Sequence, residues 1–216
     1  MKYKCLVFDH DDTVVNSTAT IHYPAFIEFL KQNRPGRWCS LEDYFIFNFN
    51  PGFIETCTVN FGMTEEELDR EVEFWLNYVS EHIPDAYPGI REIMQQHKEQ
   101  GGIITVVSHS MKHNILRDYA YNNLPEPNLV YGWEEPVEHR KPNTWPLEQI
   151  MKKFDLSPSE ILMIDDLKPG YDMAVSAGVD FAAAGWSNNI AEIENFMRSN
   201  CEHYFKTVGE LSRFLK

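Results

Sequence analysis

The stretch Lys4-Cys5-Leu6-Val7-Phe8-Asp9-His10-Asp11-Asp12-Thr13 decides the fold. A short apolar run from Lys4 to Phe8 stops abruptly at a cluster of acids. Short apolar runs bounded by polar turn residues read as strands buried on both faces. The same pattern recurs at Ile103–Val107, Asn128–Tyr131, Ile161–Ile164 and Asp180–Ala184, with helical periods between them at 88–100, 111–123, 144–155, 169–177, 189–198 and 207–215. Strand and helix alternating in this way predict βαβ units and a parallel sheet, an α/β core of three layers in the Rossmann-like manner. Ser157-Pro158-Ser159-Glu160 has the spacing of a capping box and predicts a short turn before the fourth strand.

One stretch breaks the alternation. Residues 16–85 contain no convincing buried strand, and helical periods run instead through Ile21–Gln32, Leu41–Phe47, Pro51–Phe61 and Thr64–Val79. The last is the clearest, with acids in its first turn, where the helix dipole favours them, and Leu68, Val72, Trp75, Leu76 and Val79 on one face. Pro84, Pro88 and Gly89 mark the return to the sheet. The expected organisation is a core formed by residues 1–15 and 86–216, with an α-helical cap domain, residues 16–85, inserted after the first strand.

Composition narrows the function. With 216 residues, 43% of them hydrophobic, the chain is long enough for a sizeable core. The formal net charge of −14 argues against nucleic acid and anionic membrane surfaces, and the sequence has no basic run to supply a local exception. No apolar stretch approaches the roughly 18 residues that span a bilayer. The opening residues reach acids too soon for a secretory apolar region, so a cytoplasmic location is expected. Cys5, Cys39, Cys57 and Cys201 are scattered and read as reduced thiols. Monomer and homodimer stay equally open.

The chemistry gathers at strand ends. In an open parallel sheet, ligands bind beyond the carboxyl ends of the strands. Asp9 and Asp11, two apart on an extended segment, can face one site together. Ile161-Leu162-Met163-Ile164 ends likewise in Asp165-Asp166. Carboxylates converging from two strands repel one another, and a hard divalent cation such as Mg²⁺ is the natural remedy. The strand Ile103–Val107 ends in Ser108, a small hydroxyl donor, and Lys141 stands in a loop before a helix.

These motifs in this order resemble the haloacid dehalogenase superfamily, in its branch with a helical cap after the first strand. Asp9-His10-Asp11-Asp12-Thr13 matches the family pattern DxDx[TV], Ser108 its second motif, Lys141 its third, and Asp165-Asp166 the acidic pair of its fourth. The similarity extends over essentially the whole chain, with phosphoglycolate phosphatases and β-phosphoglucomutase-like proteins as the nearest architecture. It implies a Mg²⁺-dependent phosphatase acting on a small phosphorylated metabolite. Asp9 would be the nucleophile and form an aspartyl-phosphate, and Asp11 the general acid and base. Mg²⁺ would be held by Asp9, the carbonyl of Asp11 and Asp166, with Asp165 close by, and Ser108 and Lys141 would bind the phosphoryl oxygens. The presence of Asp11 favours phosphate chemistry over dehalogenation.

The cap is expected to choose the substrate. Its segment Phe45–Gly52 reads as an aromatic, amide-rich loop between helices, from which Asn48 and Asn50 would reach a hydroxylated substrate, with His109 beside them in the cleft. The rings of that segment also suit the cap's own core. Trp133, Trp145 and Trp186 read as packing or loop anchors. Two departures from the family pattern stand out: Asp12 replaces the usual Gly, and Gly170 stands where another family form has an acid. A phosphosugar mutase and a non-catalytic binding protein are the alternatives, the second suggested by Asp12.

Overall fold

The computed structural model describes residues 2–216 and forms two compact units. One is the chain up to Asn16 together with Asp85–Lys216, and the other is Ser17–Pro84. In chain order, β1 (Cys5–Phe8) is followed in the second unit by α1 (Tyr23–Asn33), α2 (Leu41–Phe49), the single turn α3 (Phe53–Glu55) and α4 (Glu65–Glu81). The first unit resumes with α5 (Ile90–Glu99), β2 (Ile103–Val107), α6 (Lys112–Tyr121), β3 (Leu129–Tyr131), α7 (Trp145–Phe154) and β4 (Ile161–Asp165). It ends with α8 (Lys168–Ala177), β5 (Asp180–Ala184), α9 (Ala191–Asn200), β6 (His203–Phe205) and α10 (Val208–Phe214).

The strands form one parallel sheet in the order β3-β2-β1-β4-β5-β6. Cys5 to Phe8 are wholly buried, which is why β1 is apolar without alternation and occupies the middle of the sheet. Leu6, Phe8, Ile104, Val106, Leu162 and Ile164 form the core with Ile90 and Met94 of α5 and Ile115 and Tyr119 of α6. Each such large apolar side chain contributes about 1.5–3 kcal/mol on leaving water. The expected α/β architecture is therefore present, with element ends displaced by one to three residues, the usual latitude where helix termini fray. The turn at Ser157–Glu160 is a short 3₁₀ segment closed by the expected capping box.

The register brings the sheet's reactive ends together. Phe8 lies level with Val106 on one side and Ile164 on the other. The next residues along the three strands lead to Asp9, Ser108 and Asp165-Asp166. Just beyond, the chain leaves for the helical unit and returns from it side by side. Asn16 N–H donates to the Asp85 carbonyl at 3.0 Å, Tyr87 N–H to that of Val14 at 2.9 Å, and Val15 bridges Ala86 antiparallel.

The helical unit has its own core of Phe26, Phe29, Leu30, Cys39, Tyr44, Cys57, Phe61 and Met63. Phe26 is its hub, with ring centroids of Tyr44, Phe53 and Phe61 at 5.3–5.4 Å, the spacing of favourable aromatic pairs. The expected loop at Phe45–Gly52 is corrected here, because Phe45 to Phe49 belong to α2. Ser40 and Asp43 start that helix with a reciprocal capping box, each side chain meeting the other's backbone N–H at 3.0 Å. Phe45 and Phe49 are buried. The helix expected over Pro51–Phe61 is interrupted: after α3 the turn widens to π-helical geometry at Thr56–Asn60. A second π-helical turn, Thr18–His22, leads into α1. Among the described residues no helix is long and apolar enough to cross a membrane.

Candidate active site

Lys141 is the centre of the site. Its Nζ donates to Asp9 Oδ1 and to Asp165 Oδ2, both at 2.7 Å, and all three residues are buried. Asp9 follows β1 and Asp165 ends β4, so one ammonium ties together two neighbouring strand ends. Asp165 is held a second time, its Oδ1 accepting Leu167 N–H at 2.8 Å. Gly170, in the first turn of α8, makes this packing possible. A Cβ at that position would stand 2.0 Å from Asp165 Oδ2.

Burial is the largest single influence on Lys141, Asp9 and Asp166, and the neighbouring charges add to it or oppose it. Burial alone would lower the Lys141 ammonium, but Asp165 and Asp9 outweigh it and hold the proton more firmly than on a free lysine. Burial raises the Asp9 carboxyl above the usual carboxylate range; Lys141 pulls it back, while Asp165 and Asp11 push it up. Asp166 is raised strongly, first by burial and then by the charges of Asp12, Asp165 and Asp9. Its Oδ1 accepts from Thr13 Oγ1 at 3.3 Å. Three buried carboxylates thus share one ammonium. Asp9, Asp165 and Asp166 each offer an oxygen within 4.8 Å of the others. An all-oxygen donor set with a deficit of positive charge fits a hard divalent cation.

Around this centre lie hydroxyls and an imidazole. Ser108 is buried, and its Oγ accepts Ser110 N–H at 3.1 Å. Ser110 Oγ in turn donates to Asp11 Oδ2 at 2.5 Å. The Asp11 carboxylate lies outside the trio that could share an ion, and it is more exposed than Asp9. That separation gives the two acids of the first motif different surroundings. His109 Nε2–H donates to the Lys141 carbonyl at 3.1 Å. Burial, helped by the Lys141 charge, lowers its pKa to about 4, so the imidazole is neutral near pH 7 with Nδ1 left as an acceptor.

Asp12 occupies the left-handed region at φ 58°, a conformation that glycine adopts freely and Asp better than most residues. The turn is closed by Asp12 N–H donating to the Val15 carbonyl at 2.7 Å. Its neighbour His10 points the other way, into the core. His10 Nε2 meets Asp118 Oδ2 of α6 at 3.0 Å, Arg117 grips the other oxygen of Asp118 at 2.8 Å, and Tyr119 stacks on the imidazole.

Asp9, Asp11, Ser108, His109, Lys141, Asp165 and Asp166 therefore all belong to one edge of the sheet. Asn48 and Asn50 belong to the helical unit. Asn48, expected to be exposed, is half-buried and donates to the Tyr44 carbonyl at 2.7 Å, an ordinary bond back to the previous helical turn. Asn50 is exposed at the end of α2. Ser110, Thr13 and the space left by Gly170 were not singled out for these roles by sequence reasoning. Ser110 had one available signal, a second hydroxyl two residues beyond Ser108.

A parallel sheet whose two neighbouring central strands end in aspartates bridged by one lysine defines an α/β enzyme with an anionic, cation-accepting site. The family profile described as haloacid dehalogenase-like hydrolase matches residues 6–184, and the chain belongs to that family. It is a hydrolase standing among proteins named as phosphatases. Pyrophosphatase PpaX of Bacillus cereus is 25% identical over 190 residues, covering 87% of this chain and 85% of its own. A crystal structure described as a predicted phosphoglycolate phosphatase from Haemophilus somnus superposes with a TM-score of 0.80 at 22% identity, over 100% of this chain and 99% of that one. A mutant form of CbbY from Rhodobacter sphaeroides, in complex with xylulose-(1,5)bisphosphate, gives 0.72 at 15% identity, over 97% of this chain and 96% of that one.

Proposed function

We propose that the protein is a Mg²⁺-dependent phosphatase that hydrolyses a small phosphomonoester through an aspartyl-phosphate on Asp9. The observation that carries this reading is the buried Lys141 bridge between Asp9 and Asp165. It draws the Asp9 carboxyl back towards its ionised form against burial and holds it aimed, and its fixed positive charge would meet the incoming phosphoryl oxygens. Asp9 Oδ attacks phosphorus as the ester oxygen departs, and Asp11 supplies the proton that oxygen needs. Asp11 then accepts a proton from the water that cleaves the acyl phosphate, which returns Asp9. Ser108 Oγ–H and Lys141 Nζ–H donate to the phosphoryl oxygens in both steps. The separate surroundings of the two acids support the division of labour, one carboxylate buried against an ammonium and one in contact with a hydroxyl. Asp9, the Asp11 carbonyl and Asp166, with Asp165 close by, would hold Mg²⁺, which would supply charge neutralisation for the incoming phosphate.

The helical unit is proposed to act as the cap that excludes water and selects substrate, with Asn50 more available than Asn48. The named relatives support small phosphate-bearing substrates, and four free cysteines suit a reducing, cytoplasmic setting. Phosphate release from a panel of phosphorylated acids, sugars and nucleotides, with Mg²⁺ and with EDTA, tests the proposal. Metal-dependent release that vanishes in Asp9→Asn is the expected result. Isomerised product without net phosphate release in the presence of a bisphosphate activator would replace hydrolysis by mutase chemistry.

A further inference from the structure

Arg140 differs from the other half-buried arginines of the molecule. Arg34 is paired with Glu67 and Arg117 with Asp118, each through a guanidinium nitrogen within 3 Å of a carboxylate oxygen. Arg140 makes no ion pair among the described residues, although the chain carries 33 acidic side chains. Its guanidinium is nonetheless rigidly placed. Cζ lies 4.0 Å from the centre of the Trp133 ring, and Nε donates to the Glu135 carbonyl at 2.6 Å. These contacts use one face of the guanidinium and one of its N–H groups. The two terminal nitrogens, the pair that suits a carboxylate or phosphate, are left without an acceptor from the protein.

The platform beneath it is equally fixed. Trp133 N–H donates to the Ser110 carbonyl at 2.9 Å. The next residue, Glu134, accepts the Lys112 N–H that opens α6, at 2.9 Å and 3.0 Å, so its carboxylate is already engaged. The cluster adjoins the reaction centre. Arg140 immediately precedes Lys141, and Trp133 meets His109 edge-on at 5.7 Å. His109 holds the Lys141 carbonyl, and Arg140 and Asp11 are both among the charges that act on it.

We propose that Arg140, laid flat on Trp133, receives a second anionic group on the leaving part of the substrate, so that the preferred esters carry a carboxylate or a further phosphate close to the phosphoryl group being cleaved. This rests on the phosphatase reading and narrows its substrate class. A positive group held out of ion pairs beside the site of an acidic protein recruits anions that the global field would repel. A guanidinium that is already oriented loses little freedom on accepting two parallel hydrogen bonds.

The test compares 2-phosphoglycolate with 2-hydroxyethyl phosphate, which differ in the terminal carboxylate, and adds inorganic pyrophosphate as the second-phosphate arm. Binding is measured calorimetrically on Asp9→Asn protein, and turnover by phosphate release from protein with Asp9 intact. At least one doubly anionic compound is expected to bind about tenfold or more tighter than the neutral-tailed ester. Arg140→Gln is expected to lower that selectivity about tenfold, and Arg140→Lys to restore part of it. Which of the two anionic compounds is preferred identifies carboxylate or phosphate as the group received. Equal binding of all three compounds, or equal weakening of all three by Arg140→Gln, would overturn the proposal. Selective binding that needs Arg140 but no phosphate release would keep the anion site and remove the phosphatase reading. Phosphate release without selectivity would do the reverse.

Discussion

Gly170→Ala sets helix propensity against the geometry of the site. Gly170 lies inside α8, and its φ is outside the positive range, so alanine would ordinarily stabilise the helix by about 1 kcal/mol. Here the new methyl group would stand 2.0 Å from Asp165 Oδ2 and 2.3 Å from its Cγ. Asp165 is fully buried at the end of β4 and is held by Lys141 Nζ at 2.7 Å and by Leu167 N–H at 2.8 Å. It has to swing away from both, or α8 has to lift off β4. Losing two hydrogen bonds to a buried carboxylate costs about 3–5 kcal/mol, so a net loss of about 2–4 kcal/mol is expected. Lys141 would lose one of its two anchors, and phosphate release should fall by about two orders of magnitude through misplacement alone. Urea denaturation read with phosphate release measures both effects. Gly209→Ala in α10 is the control, because a Cβ there meets nothing closer than 3.7 Å, and it should gain up to about 1 kcal/mol. If Gly170→Ala gains stability as the control does and keeps its activity, the tight seat of Asp165 is not what holds Lys141.

Three further substitutions probe buried charge. Burial raises the Glu71 carboxyl in α4 from 4.5 to about 7, with His22 opposing, so between those values the folded chain keeps a proton that the unfolded chain has lost. Stability therefore falls as pH rises through that window, and the advantage of Glu71→Gln over the parent should grow by about 2–3 kcal/mol from pH 5 to pH 8 in denaturation curves; a constant difference would refute the assignment. Asp118→Ala leaves both nitrogens of the buried His10 without a protein partner and should cost about 3 kcal/mol in urea unfolding, whereas a change below about 1 kcal/mol would mean that His10 finds another partner. Asp12→Asn keeps a side chain that tolerates positive φ but removes a charge that raises Asp166, so the acidic limb of the rate profile should move to lower pH. An unmoved limb would show that Asp166 does not set it.

The parallel sheet was legible because its strands are buried on both faces and so cannot alternate. Cys5–Phe8 and Ile161–Ile164 have no solvent side to record in polar residues. Strand ends are also where a one-dimensional pattern maps directly onto a site, which is why Asp9, Ser108 and Asp165 could be named together. Lys141 sits in a loop, and the family resemblance rather than any periodicity pointed to it. The aromatic segment Phe45–Phe49 misled because amides beside aromatic rings resemble a loop. The deciding signal lay upstream in Ser40-Leu41-Glu42-Asp43, a capping box closed by Asp in place of the commoner Glu or Gln. The Ser110–Asp11 bond and the space left by Gly170 arise from contacts between distant segments, which no local pattern encodes.

The paired crossing at Asn16 and Asp85 bears on how the sheet assembles. To pair β1 with β2, the chain must close a loop running from Phe8 to Ile103. Once Ser17–Pro84 has folded and its two ends meet at the Asn16–Asp85 and Val15–Ala86 contacts, the segments still to be closed are only 9–16 and 85–102. On the logarithmic scale of loop closure this shortening amounts to about 1 kcal/mol, and lengthening the insertion adds correspondingly little. Assembly of the central strands is thus nearly indifferent to what lies between residues 17 and 84, provided that its ends emerge side by side. The helical unit is accordingly a cassette, open to exchange for another insert without rebuilding the sheet that receives it.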